Sequence, residues 1–268
     1  MKNIMVILLN CVQWRQNQGA IHRAARRVVR AAAGAVGCSG RGLASHDYSD
    51  SGRGKNSIAA RGGGMQAKDA RGRWQAEHLR SVGRRLSDAA KSMRMGAMPE
   101  SPFGLTDEGF EDYRGTTLAE AVRYLSIERV DLSDALFKDG ASINESEAKG
   151  CKFERIDMRN VFVRRKFDSC SFVGAKLNGA RLGGEFIGCD FSRSNLSKSF
   201  ATDCRFVNCK FAGANLSGIH FISCVFDGCD FTGVKVMSGS VAKSRFVGGA
   251  APEQLQGCIT DGVVICPA

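Results

Sequence analysis

Histidine is nearly missing from this chain. Four occur in 268 residues, and beyond residue 100 there is only His220. A histidine-centred acid–base pair has little to be built from there, and neither does a mixed Cys/His zinc site. No apolar run is long enough to span a bilayer. The stretch Ile4 to Leu9, with only Lys2 ahead of it, is shorter than a signal-peptide core and no cleavage site follows. Tryptophan (2), tyrosine (3) and proline (4) are scarce, whereas phenylalanine numbers 16, so the aromatic content is almost all of one purely apolar kind. Acid is also short. The chain carries 38 Lys and Arg against 27 Asp and Glu, a net +11.

What is present is a beat of five. It is legible in Cys189-Asp190-Phe191, Ser194-Asn195-Leu196, Cys209-Lys210-Phe211, Ala214-Asn215-Leu216 and Cys229-Asp230-Phe231. A small residue, a polar one and then Phe or Leu are followed by two more. From Phe186 to Phe246 thirteen consecutive pentads keep this period without a slip. Helices repeat at 3.6 and strands at 2, so a period of five belongs to a repeat architecture. Extending the register back to Leu132 needs a six-residue step after Phe137 and four-residue steps after Val163 and Leu182.

Every fourth centre then sorts by type. One column is Leu132, Phe153, Phe172, Phe191, Phe211 and Phe231, and a second runs Phe137, Met158, Leu177, Leu196, Leu216 and Val236. A third is Ile143, Val163, Leu182, Ala201, Phe221 and Val241, and a fourth Ala148, Phe167, Phe186, Phe206, Phe226 and Phe246. Sorted columns predict a coil of four pentads with like side chains stacked one coil apart. Six such coils at the strand spacing make a rod of about 29 Å. The residue two before each centre is expected to lie at the wall, where only Ala, Ser or Cys fits.

This pattern resembles the pentapeptide-repeat family over residues 130–249. The resemblance implies an all-β fold, a right-handed quadrilateral β-helix. It also implies a non-enzymatic protein whose rigid outer faces dock a protein partner. Some family members imitate duplex DNA at bacterial topoisomerases, a role that requires a strongly negative rod. Residues 129–250 hold eighteen Lys and Arg against thirteen Asp and Glu, a net +5, which argues against such mimicry here.

A solenoid needs its open ends covered. Thr117 and Glu120 have capping-box spacing, and Leu118, Val122 and Leu125 share one helical face, so a cap helix is expected within a 105–129 segment of linker and cap. Residues 250–268 read as a C-terminal cap and tail. There Pro252 to Leu255 make one helical turn, similar to the Glu-Gln-Leu segment that follows the last coil in the family. Residues 105–268 thus contain both expected caps and are expected to fold alone.

Residues 1–104 form a basic, low-complexity region. The first 100 residues alone hold eighteen Lys and Arg against six Asp and Glu. This composition predicts disorder broken by helical pieces over 21–36 and 66–95, the latter aligning Leu79, Val82, Leu86, Ala90 and Met93. Several readings stay open: an arm for nucleic acid, a delivery segment of a secreted bacterial effector, a passive tail, or a natural product starting at Met65 or Met93.

Seven of the eleven cysteines fall on wall positions, where a free thiol acts as a small hydrophobe and fits a reducing, cytoplasmic setting. The pentad register explains the spacing of Cys204 with Cys209 and of Cys224 with Cys229, so neither pair implies a metal. No catalytic residue and no cofactor is expected. The site candidate is instead a basic corner. The shortened step after Val163 carries Arg164, Arg165 and Lys166, with Arg159 one pentad earlier and Arg181 stacked nearby. Arg165 stands where a small wall residue is normal, and a departure from a strong local rule is a place to look for function.

Overall fold

The computed structural model describes residues 67–138, 140–248, 255 and 257–266, all within one compact unit, Arg61–Ala268. The helical stretch expected over 21–36 lies outside them, as does most of the turn expected at Pro252 to Leu255. Two helices come first, α1 (Ala67–Gly72) and α2 (Ala76–Ser92), then strand β1 (Gly96–Ala97). The first coil is β2 (Glu111–Asp112), β3 (Thr117–Leu118), β4 (Val122–Arg123) and β5 (Leu125–Glu128). The second is β6 (Val130–Asp131), β7 (Leu136–Phe137) and the long β8 (Ser142–Lys149), which covers two sides. The third and fourth coils have one long strand each, β9 (Phe162–Asp168) and β10 (Arg181–Ile187). From the fifth coil on, these sides separate into β11 (Phe200–Thr202) with β12 (Arg205–Val207), β13 (Ile219–Ile222) with β14 (Val225–Asp227), and β15 (Gly239–Ser240) with β16 (Arg245–Val247). Strand β17 (Val264–Cys266) then pairs with β16.

The result is a four-sided parallel β-solenoid of about seven coils. All four columns stand in register: Ile143 opposite Val163, Leu182 opposite Ala201, and Phe167, Phe186, Phe206, Phe226 and Phe246 in succession. On the narrower first and second sides the same stacking runs through bridges such as Asp190 to Lys210 and Asn195 to Asn215. Pentads of the first and second sides close with a turn, as where the Ser194 amide donates to the Phe191 carbonyl at 3.1 Å. Between coils, the Phe191 amide donates to the Lys210 carbonyl at 2.7 Å.

Two phenylalanine stacks fill the axis. In the first, Phe172 and Phe191 have centroids 4.8 Å apart and planes 5° apart; in the fourth, Phe186 and Phe206 are at 5.1 Å and 11°. The stacks meet edge to face, Phe186 against Phe191 at 5.7 Å and 66°, the arrangement that ring quadrupoles prefer. The wall cysteines are free thiols, all buried except the half-buried Cys229, and several donate to carbonyls of the neighbouring coil, Cys189 to Phe167 at 3.4 Å and Cys209 to Phe186 at 3.2 Å.

The expected helix near 116–125 is not formed. Tyr113, Leu118, Val122 and Ile127 are the centres of an additional first coil, with Leu118 opposite Phe137 and Val122 opposite Ile143. Leu118 and Val122 are four apart, a spacing that suits a helix and a shortened pentad alike. Thr117 spends its backbone on pairing with Leu136, not on a cap.

The N-terminal cap lies earlier, in α2, which packs on β3 and β4 and buries Val82 and Leu86. Residues 67–104 therefore belong to the fold, and an expected domain starting at 105 omits its own lid. Gly115 (φ +71) permits the approach of α1, because a Cβ there would sit 2.5 Å from the Ala70 carbonyl carbon. Trp74 donates its indole N–H to the Arg114 carbonyl at 2.8 Å and packs edge-on to Phe103. Asp112, buried, accepts from Arg73 Nη1 at 2.8 Å and from Arg114 Nε at 2.9 Å. Burial pushes the Asp112 carboxyl up, but the hydrogen bonds from Arg114 and Arg73 outweigh it and hold the group well below the usual carboxylate range.

Two outcomes follow from this packing. Phe191→Ala opens a cavity in mid-stack and should cost about 3–5 kcal/mol in denaturant unfolding, whereas Lys198→Ala, outward, should be nearly neutral. Similar costs for both would contradict the register. A carboxyl whose folded pKa is depressed stabilises fully above its unfolded pKa of about 4 and loses that contribution as pH falls below it. Asp112→Asn should therefore unfold more easily than the native chain at pH 7, with the gap narrowing progressively as pH falls below about 4 in acid titrations followed by circular dichroism.

Candidate functional site

At the shortened steps the chain crosses from the third side to the fourth with no separate turn. One residue of positive φ makes the bend, Arg165 at 107° in β9 and Gly184 at 88° in β10. With a residue missing, the small wall position disappears, and its occupant faces outward. The Arg165 guanidinium escapes to the surface, where Nε donates to Glu147 at 3.2 Å and Nη1 lies 3.6 Å from Glu145. In the next coil Gly183 and Gly184 leave a gap. Together with Arg164, Arg165, Arg181, Phe200 and Thr202 they line an open groove of about 520 Å³.

The structure brings Arg164, Arg165 and Arg181 together at this groove. It separates Arg159, which bonds back to Asp157 in its own turn, Nε to Oδ1 at 2.8 Å and Nη2 to Oδ2 at 2.9 Å. Lys166 points outward from the adjoining side, in register between Glu147 and Glu185.

The groove is bordered by a feature that corner reasoning missed. The residue just before each third-column centre faces outward, and in four successive coils it is Phe162, Arg181, Phe200 and His220. The Arg181 guanidinium sits 5.1 Å from the Phe162 ring centroid and 5.9 Å from that of Phe200, while Phe200 and His220 stack at 5.1 Å and 12°. Arg164 lies over the same Phe162 ring at 4.9 Å. Planar groups thus form an outward ladder parallel to the inner phenylalanine stacks. Phe200 is 45% exposed. A second groove, lined by Asn160, Lys198, Phe200 and His220 among others, runs along its other flank. The signal lay in the sequence as Phe162, Arg181, Phe200 and His220 at intervals of 19, 19 and 20 residues.

Arg165 is paired with carboxylates, but Arg164 and Arg181 make no ion pair among the described residues; the contacts they show are with rings. Two guanidinium groups over one ring repel each other and are each attracted to its negative π surface, a cation–π arrangement that uses none of their N–H donors. Among the described residues no group of three His, Cys, Asp or Glu is placed to hold a metal ion, and no helix is long and apolar enough to cross a membrane.

The pentapeptide-repeat family model matches residues 185–219 and 204–237, with eight copies. Similar solved structures include a trypsin-treated QnrB1, a plasmid-mediated fluoroquinolone resistance protein, at 17% identity over 57% of this chain and 76% of that one, with a TM-score of 0.33. HetL, a pentapeptide-repeat protein involved in heterocyst differentiation regulation from the cyanobacterium Nostoc sp. strain PCC 7120, is 13% identical over 64% and 85% of the two chains, with a TM-score of 0.31. A pentapeptide-repeat protein of the Arabidopsis thaliana thylakoid lumen is 20% identical over 41% and 68%, with a TM-score of 0.22. No curated protein matches the chain.

The groove depends on its glycines unequally. A Cβ at Gly184 would lie 2.1 Å from the Arg165 carbonyl oxygen, at a φ that side chains avoid, whereas at Gly183 it would meet only the Arg164 side chain, at 2.9 Å. Gly184→Ala should cost at least about 2 kcal/mol in thermal or denaturant unfolding. Gly183→Ala should stay within about 1 kcal/mol of the native chain.

Proposed function

We propose that this chain, a member of the pentapeptide-repeat family, acts without catalysis as a rigid protein-interaction module that docks a partner on the third side of its rod. The carrying observation is the outward ladder of Phe162, Arg181, Phe200 and His220, held in register by β9, β10, β11 and β13. Aromatic residues and arginine dominate the energetic centres of protein interfaces because they bring large area and fixed geometry at little entropic cost. Here the rings and the guanidinium are pre-stacked, so little freedom remains to be lost on binding. The axis of the rod is filled by side-chain packing, and its outer faces are the surfaces left to work with.

Affinity capture with the full chain tests this reading. Phe200→Ser should abolish retention of the specific partner. Lys210→Ser, an outward change on the first side, should leave it within about twofold, as surface changes outside an interface do. Equal capture by the native chain and both variants would sink the assignment.

A further inference from the structure

Building on that reading, we propose that the groove beside the ladder receives an extended acidic segment of a partner protein, with its carboxylates on Arg164 and Arg181. The groove exists because Gly183 and Gly184 carry no side chains between the Arg164–Arg165 rung and Thr202. Its rim holds two cations that no carboxylate neutralises among the described residues, both against Phe162. Its wall is Phe200, whose exposed ring offers apolar contact.

The ladder decides between classes of anion. Inside it, ring faces are taken up by neighbours: Phe162 by Arg164 and Arg181, and Phe200 by Arg181 and His220. A nucleobase therefore finds little free face to stack on, which removes the main device of single-strand binding. A partner meets ring edges and guanidinium N–H groups instead. Both are electropositive and complement a carboxylate, which guanidinium binds in fork geometry. Glu145, which also lines the groove, and Glu147 beside it are paired with Arg165, not with Arg164 or Arg181. The first 66 residues of the chain carry a net positive charge, so they are not the complementary occupant.

The direct test uses fluorescence anisotropy with the full chain and a short labelled peptide of alternating Glu and Leu. Its Gln–Leu counterpart and a short labelled single-stranded DNA serve as comparison probes. The expected result is binding of the acidic peptide alone, weakening as salt rises. The double variant Arg164→Gln/Arg181→Gln should bind about tenfold or more weakly, a change of about 1.4 kcal/mol, with its unfolding curve unchanged. Gly183→Leu, which removes no charge but fills the groove and pushes the Arg164 side chain aside, should lose binding to a similar degree. Retained binding in Gly183→Leu would overturn the groove as the seat. Equal or tighter binding of the DNA, lost in the double variant, would overturn the protein segment in favour of nucleic acid. No binding of the acidic peptide while partner capture still depends on Phe200 would overturn the acidic chemistry and leave the interaction module standing. Loss of both would remove the module as well.

Discussion

Everything in this molecule hangs on the fit of one side chain per pentad into an axis only wide enough for stacked rings. Parallel strands hold successive coils near 4.8 Å, and the inner rings stack with centroids 4.8–5.1 Å apart, as Phe172 on Phe191 and Phe191 on Phe211 do. Hydrogen-bonded backbone and ring contact thus ask for almost the same repeat, and neither has to yield. The small wall residues follow from that agreement, since Cys, Ala or Ser two places earlier is all the remaining space admits. The outer ladder inherits the same repeat. Arg181 falls between Phe162 and Phe200 because β9, β10 and β11 are locked in register from within.

The inner half of this arrangement was legible because periodicity survives in a single sequence. Each column could be read without coordinates, down to Ala201 in the third and Val236 in the second. The outer half was legible only in part. Outward residues obey no size rule, so a run such as Phe162, Arg181, Phe200 and His220 looks like noise unless it is read one place before each centre. Reading by corner instead put Arg159 with the basic group, although Asp157, two residues earlier in the same turn, holds it.

The first coil was hidden for a different reason. Leu118 and Val122 satisfy a helix and a short pentad equally well, and a tempting Thr117 and Glu120 pair tipped the reading towards helix. What settles the matter is stacking on Phe137 and Ile143, a long-range fact that local propensity does not contain. The true lid, α2, was visible as an amphipathic pattern through Leu79, Val82 and Leu86. The strong positive charge around it pointed to disorder, and charge says little about one buried stripe.

The direction of the coil-to-coil hydrogen bonds has a mechanical consequence. They run along the rod, and each coil of about twenty residues is held mainly by its two neighbours. Tension between the chain ends therefore passes through every interface, and the bonds of a terminal coil, with a neighbour on one side only, give way in sequence, as in opening a zipper. Each coil released adds roughly 60–70 Å of extended chain. Such a rod yields stepwise when peeled from an end, yet its sides resist a load pressing across them.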